Sequence, residues 1–106
     1  PESLAGSAAF LALTDAATVA WNVALGFNAY VTLGGAREIG EPTNLQDGLT
    51  YVLNINPATY APTWNAIWDW GAEGPPTLPA NVWSKVTAQY FAVTGKLEAS
   101  VRLGAA

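Results

Sequence analysis

Gly48-Leu49-Thr50-Tyr51-Val52-Leu53-Asn54-Ile55-Asn56 alternates without a break, with Tyr51, Leu53 and Ile55 on one face and Thr50, Val52, Asn54 and Asn56 on the other. A period of two marks a strand with one buried face. Pro57 closes the run, because proline has no N–H to give a central ladder. The end of the chain repeats the pattern. Lys96 to Leu103 sets Leu97, Ala99, Val101 and Leu103 against Lys96, Glu98, Ser100 and Arg102. Thr94-Gly95 turns this run back onto Val82 to Val93 as a hairpin. That partner is long for one strand, so a bend or bulge is expected near its middle.

Working outward, Ala17 to Asn22 and Asn28 to Leu33 read as further strands, Arg37 to Ile39 as at most a short one, and Thr63 to Trp68 as another. Gly34-Gly35 permits a tight turn, Glu41-Pro42-Thr43-Asn44 marks a loop, and Gly71 to Pro79 is an irregular loop rich in Gly and Pro. Short β-type runs broken by turn residues predict an all-β fold, a small antiparallel β-sandwich or jelly-roll-like domain over residues 14–106. No repeat of about 20 to 50 residues is visible, which gives a solenoid no support. Residues 1–13 read as an apolar arm, helical from a Ser3 cap or extended, whose Leu4, Phe10 and Leu11 are candidates for docking into a neighbouring protein.

Composition narrows the chemistry. The 106 residues suffice for one domain, and with 51% hydrophobic residues they can fill a core. Four Lys/Arg against eight Asp/Glu leave a formal charge of −4, which repels phosphate backbones, so nucleic acid is not an expected partner. Cysteine and histidine are both absent. Disulfides, thiolate nucleophiles, Cys/His zinc sites and Ser/His pairs are thereby excluded, and no metal or other cofactor is expected. Leu4 to Leu13 lacks a basic flank and falls short of the about 20 apolar residues of a membrane span. The expectation is an unsecreted, soluble chain that is complete from Pro1, with no membrane insertion.

Only carboxylates remain for catalysis. Asp69 and Glu73 are the nearest to a pair, and glycosidases use two carboxylates roughly 5 to 9.5 Å apart beside aromatic platforms. Two acids in an acidic chain arise easily by chance, so no enzyme is expected. The tryptophans say more. Trp64, Trp68 and Trp70 run straight into the Gly/Pro loop; Trp64 and Trp68 are expected to share a core face and Trp70 to be exposed. Trp21 and Trp83 are expected in the core or at a subunit interface. Trp68, Asp69, Trp70, Glu73 and Asn81 then form a candidate glycan contact, Trp70 giving a flat face and the polar residues hydrogen bonds. The alternative is that Trp70 only covers the end of the core. Between Arg37 and Lys85 there is no basic residue, and outward positions such as Tyr30, Val52 and Phe91 are neutral or apolar. Such faces predict a homo-oligomer.

Leu13-Thr14-Asp15-Ala16-Ala17-Thr18-Val19-Ala20-Trp21-Asn22, then Asn28 to Arg37, then Pro42-Thr43-Asn44-Leu45-Gln46-Asp47-Gly48-Leu49-Thr50-Tyr51, resembles a small β domain recurrent in tailed-phage virion proteins. Thr63-Trp64-Asn65-Ala66 and the hairpin around Thr94-Gly95 extend the resemblance to about Leu13 to Leu103. The chain departs from the pattern at Trp70 to Asn81, where the loop is enlarged. The resemblance implies a β-sandwich module of a head spike, head fibre or tail fibre, also found in phage-derived gene transfer particles. It further implies a trimer seated on a virion base or capsid protein, at a virion surface assembled in the bacterial cytoplasm, where it serves host attachment and contacts surface polysaccharide. A capsid decoration protein and, from a different class, a small glycan hydrolase using Asp69 and Glu73 are the alternatives.

Overall fold

A computed structural model describes residues 10–105. The fold is all-β, apart from a single 3-10 turn at Gly71–Glu73. The strands are β1 (Leu11–Ala12), β2 (Thr18–Val19), β3 (Asn28–Thr32), β4 (Glu38–Ile39), β5 (Thr50–Asn56), β6 (Thr63–Trp64), β7 (Trp68–Asp69), β8 (Ser84–Phe91) and β9 (Lys96–Arg102). They make a six-stranded sheet in the order β1-β3-β5-β8-β9-β7 and a three-stranded sheet in the order β2-β4-β6.

The pairing is mixed. The antiparallel expectation holds for β5 with β8 and β8 with β9, and fails elsewhere: β1-β3-β5, β2-β4-β6 and β7-β9 are all parallel. From β1 to β6 the chain alternates between the two sheets, each pass laying one strand beside its predecessor in the same sheet. This is solenoidal winding without a sequence repeat. Parallel neighbours need a long crossover, and here the crossovers are themselves the strands of the opposite sheet. Residues 63–69 join the sheets at one side: Thr63 N–H donates to Arg37 O and Asn65 N–H to Ile39 O, after which Leu97 N–H donates to Ile67 O. The expected strand Thr63 to Trp68 is therefore two short strands in different sheets, separated by an Asx turn in which Ile67 N–H donates to Asn65 Oδ1.

Two other expected strands change as well. Ala17 to Asn22 contains only Thr18–Val19, because its neighbour carries one more residue before the next bridge, Asn22 to Thr43, and that neighbour includes Pro42, which has no N–H. Val82 to Val93 forms one unbroken strand, Ser84–Phe91, in continuous register with β9 and without a bulge. Its apparent excess length lies in Val82, Trp83 and the hairpin turn, where Gly95 takes a φ of 69°.

The arm reaches into the sheet. Leu11 and Ala12 pair with Ala29 and Tyr30, and Leu13 N–H donates to Tyr30 O, so sheet pairing already includes residues ahead of the expected boundary after Leu13. Leu4 lies outside the described residues.

The core lies between the layers. Tyr51, Leu53 and Ile55 are buried, as β5 predicts, together with Val19, Trp21, Val31, Val86 and Leu97. Trp21 is a core residue: its Nε1–H donates to Gly26 O at 3.0 Å and its ring meets Tyr51 edge to face. Asp15 ties the first winding to the second. Its carboxylate accepts from Arg37 Nε at 2.8 Å, Arg37 Nη2 at 3.1 Å and Gly34 N–H at 3.0 Å. A Cβ at position 34 would sit 2.6 Å from Asp15 Oδ2, so any other residue there must displace this carboxylate. The Arg37 hydrogen bond holds the Asp15 carboxyl below its ordinary pKa of 3.8 and the carboxylate raises that of Arg37.

Candidate functional site

Trp64, Trp68 and Trp70 pack on one another. Trp64 meets Trp68 and Trp70 edge to face, with ring centroids 5.1 and 4.8 Å apart, and Trp68 stacks with Trp70 at 6.3 Å. Trp68 is 5% exposed and donates its Nε1–H to Gly40 O at 3.1 Å, which anchors β7 across the interior to the end of β4. Trp70, expected at the surface, is 8% exposed. Positions 68 and 70 share the parity of the strand, so Trp70 falls inward beside Trp68, and the chain turns only after it, where Gly71 N–H donates to Asp69 Oδ1 and Gly71 takes a φ of 69°. The Nε1–H groups of Trp64 and Trp70 are buried without a hydrogen-bond partner. Edge-to-face rings offer such a donor only a π surface.

Of the five loop residues, Trp68, Asp69 and Trp70 line one open surface cavity of about 420 Å³ and Trp70 and Glu73 an adjoining one of about 360 Å³, and Asn81 lines neither. Asp69 and Glu73 are exposed and the two tryptophans between and beside them are buried. Asn81, exposed at a φ of 63°, hydrogen-bonds through its N–H to Ala58 O in the turn after β5. At 8% exposure Trp70 offers little of its ring for stacking, and its packing fits the alternative in which it covers the end of the core.

The exposed aromatic platform lies on the outer face of the large sheet. Phe10, Tyr30, Asn54 and Trp83 line an apolar groove of about 270 Å³. The three rings are 55%, 40% and 46% exposed, and Tyr30 meets Trp83 edge to face at 6.2 Å. Cross-strand register builds the groove: Ala12 opposes Tyr30, Tyr30 opposes Asn54, Asn54 opposes Lys85, and Lys85 opposes Arg102. Lys85 reaches inward, donating from Nζ to Asn54 Oδ1 at 2.9 Å and lying 5.7 Å from the centroid of the Phe10 ring. The bond to Lys85 fixes the orientation of the Asn54 amide, and its Nδ2 is buried with no partner. Comparison with protein-family models, curated proteins and solved structures gave no match.

Trp83, expected in the core or at a subunit interface, is 46% exposed and so not a core residue. Parity contained the signal. Trp83, Lys85 and Thr87 share one side of the strand, while Val86 and Ala88 point into the core. Phe10 carried no such signal, because only the parallel pairing of β1 with β3 brings it to the groove. Tyr30 and Phe91 are exposed as alternation predicts, and Val52 is half-buried on the same outward face as Tyr30. Phe10 and Leu11, grouped as arm contacts, separate here: Phe10 lines the groove, whereas Leu11 packs against the core. Among the described residues no group of three acidic side chains is placed to hold a metal ion.

Proposed function

We propose that this chain is a surface structural subunit of a tailed-phage virion or a phage-derived gene transfer particle, a head spike or head fibre module in preference to a tail fibre. It works as a homotrimer seated on a base or capsid protein and engages the host surface by binding, not by chemistry of its own. The observation that supports this reading is the number of large apolar side chains left on the outside of a well-filled core. Phe10, Tyr30, Trp83 and Leu103 are exposed, as are Leu25, Phe27, Phe91 and Val93. Exposed apolar surface of this kind, gathered into one groove at Phe10, Tyr30 and Trp83, marks interaction sites. The resemblance of residues 13–103 to virion β domains supplies the setting.

Imaging of purified particles carrying a tagged copy of the chain tests the reading. Label at one discrete surface location, together with loss of cell adsorption when the chain is deleted, is expected. Label absent from particles overturns the proposal. Normal adsorption by weakened particles would instead favour a capsid decoration protein. Light scattering of the purified chain should give the mass of a trimer, and a monomer of 11.1 kDa at every concentration counts against that part.

A further inference from the structure

We infer that the groove formed by Phe10, Tyr30 and Trp83 over Asn54 is a binding site for an acidic saccharide. Three features converge there. Exposed Tyr30 and Trp83 rings, set at 69° to one another, offer an apolar corner onto which the C–H face of a sugar ring packs. The floor holds the Asn54 amide, whose Nδ2 is buried and has no acceptor, so the site leaves one hydrogen bond unmade beneath the rings. The rim is cationic. Lys85 and Arg102, two of only four basic residues in a chain of formal charge −4, stand opposite one another on this face. Lys85 is the cation in reach of the groove, bonded to Asn54 Oδ1 and lying against the Phe10 ring, and among the described residues the one salt bridge is Asp15 with Arg37. The apolar walls select against a simple inorganic anion, and the ammonium beside them favours an anionic over a neutral glycan. A sugar bearing a carboxylate satisfies both. This inference goes beyond the virion reading and is tested in purified protein, so either can fail without the other.

The full chain, labelled with nitrogen-15, is titrated with oligogalacturonic acid, oligomeric hyaluronan and maltohexaose. With at least one of the acidic oligomers, the indole N–H signal of Trp83 and the side-chain amide of Asn54 are expected to move, with affinity falling as salt is raised. Lys85→Gln should weaken that binding roughly tenfold, the loss of one charge-assisted hydrogen bond. Trp83→Ala and Tyr30→Ala should each abolish it while lowering the melting temperature far less than Trp70→Ala, since the two residues keep 46% and 40% of their surface exposed. Three results overturn the inference: no movement at these signals with either acidic oligomer, equal movement with maltohexaose that Lys85→Gln leaves unchanged, or signals that move with protein concentration alone, which would show a second copy covering the groove.

Discussion

Replacing Trp70 by alanine separates a loop that binds from a loop that closes the core. Trp70 is 8% exposed and packs against both Trp64 and Trp68. A buried tryptophan removes about 200 Å² from water, worth about 5 kcal/mol at about 25 cal/mol per Å². That figure is an upper bound, because the unfolded chain already buries part of the ring. Core Trp→Ala substitutions cost about 3 to 5 kcal/mol. In a domain of this size such a loss lowers the melting temperature by roughly 15 to 30 °C. Trp70→Phe makes the prediction sharper. It keeps a ring in the cluster and removes the buried, unpartnered Nε1–H, so its cost should stay within about 1.5 kcal/mol of the parent. Both variants are read by thermal melting in circular dichroism and by the urea midpoint, with the slope unchanged. A Trp70→Ala protein that melts within a few degrees of the parent would refute the placement of this residue in the core.

Asp15 gives a pH dependence of known sign. Its folded pKa lies below the ordinary 3.8, so the stability it contributes is complete above that pH and is lost as pH falls through the lower folded value. Asp15→Asn should remove this part of the acid sensitivity in urea titrations followed into acid, and it should be non-additive with Gly34→Ala, whose Cβ displaces the same carboxylate. Deleting residues 1–13 should lower the urea midpoint, because β1 and the packing of Leu11 and Leu13 go with it. An unchanged midpoint in that truncation would place the start of the domain after Leu13.

Legibility followed the locality of the information. β5, β8 and β9 are long, antiparallel and mutually paired, and their alternation alone assigns Tyr51, Leu53, Ile55, Val86 and Leu97 to the core. The two-residue strands β2, β4, β6 and β7 carry too little periodicity to read. Their partners are distant in sequence, and the parallel winding that pairs them leaves no repeat because the crossovers differ in length. Trp70 shares the parity of buried Trp68, and its expected exposure came from its neighbours Asp69 and Gly71 and the loop that follows, which say less than parity does. The groove was half legible. Tyr30 and Trp83 are outward by parity within their own strands, but their meeting depends on Asn54 and Lys85 lying between them in register.

The placement of the four basic residues gives a last test. Arg37 is paired with Asp15, and Lys96 donates from Nζ to Ala66 O, clamping the turn between β6 and β7 onto β9. Lys85 and Arg102, by contrast, face one another across β8 and β9, and like charges directly opposite in a sheet destabilise it. A chain with so few cations has ample neutral surface on which to separate them. Keeping two together beside an apolar groove, at a cost to stability, is the kind of local conflict expected where function overrides packing. Arg102→Gln removes the repulsion and leaves the Lys85 bond to Asn54 intact. It should therefore raise the melting temperature at low salt, with the gain shrinking as salt screens the parent pair. The same substitution should weaken binding of an acidic saccharide. A variant that is less stable than the parent at low salt would show that Arg102 contributes to the fold, and the argument from conflict would fail.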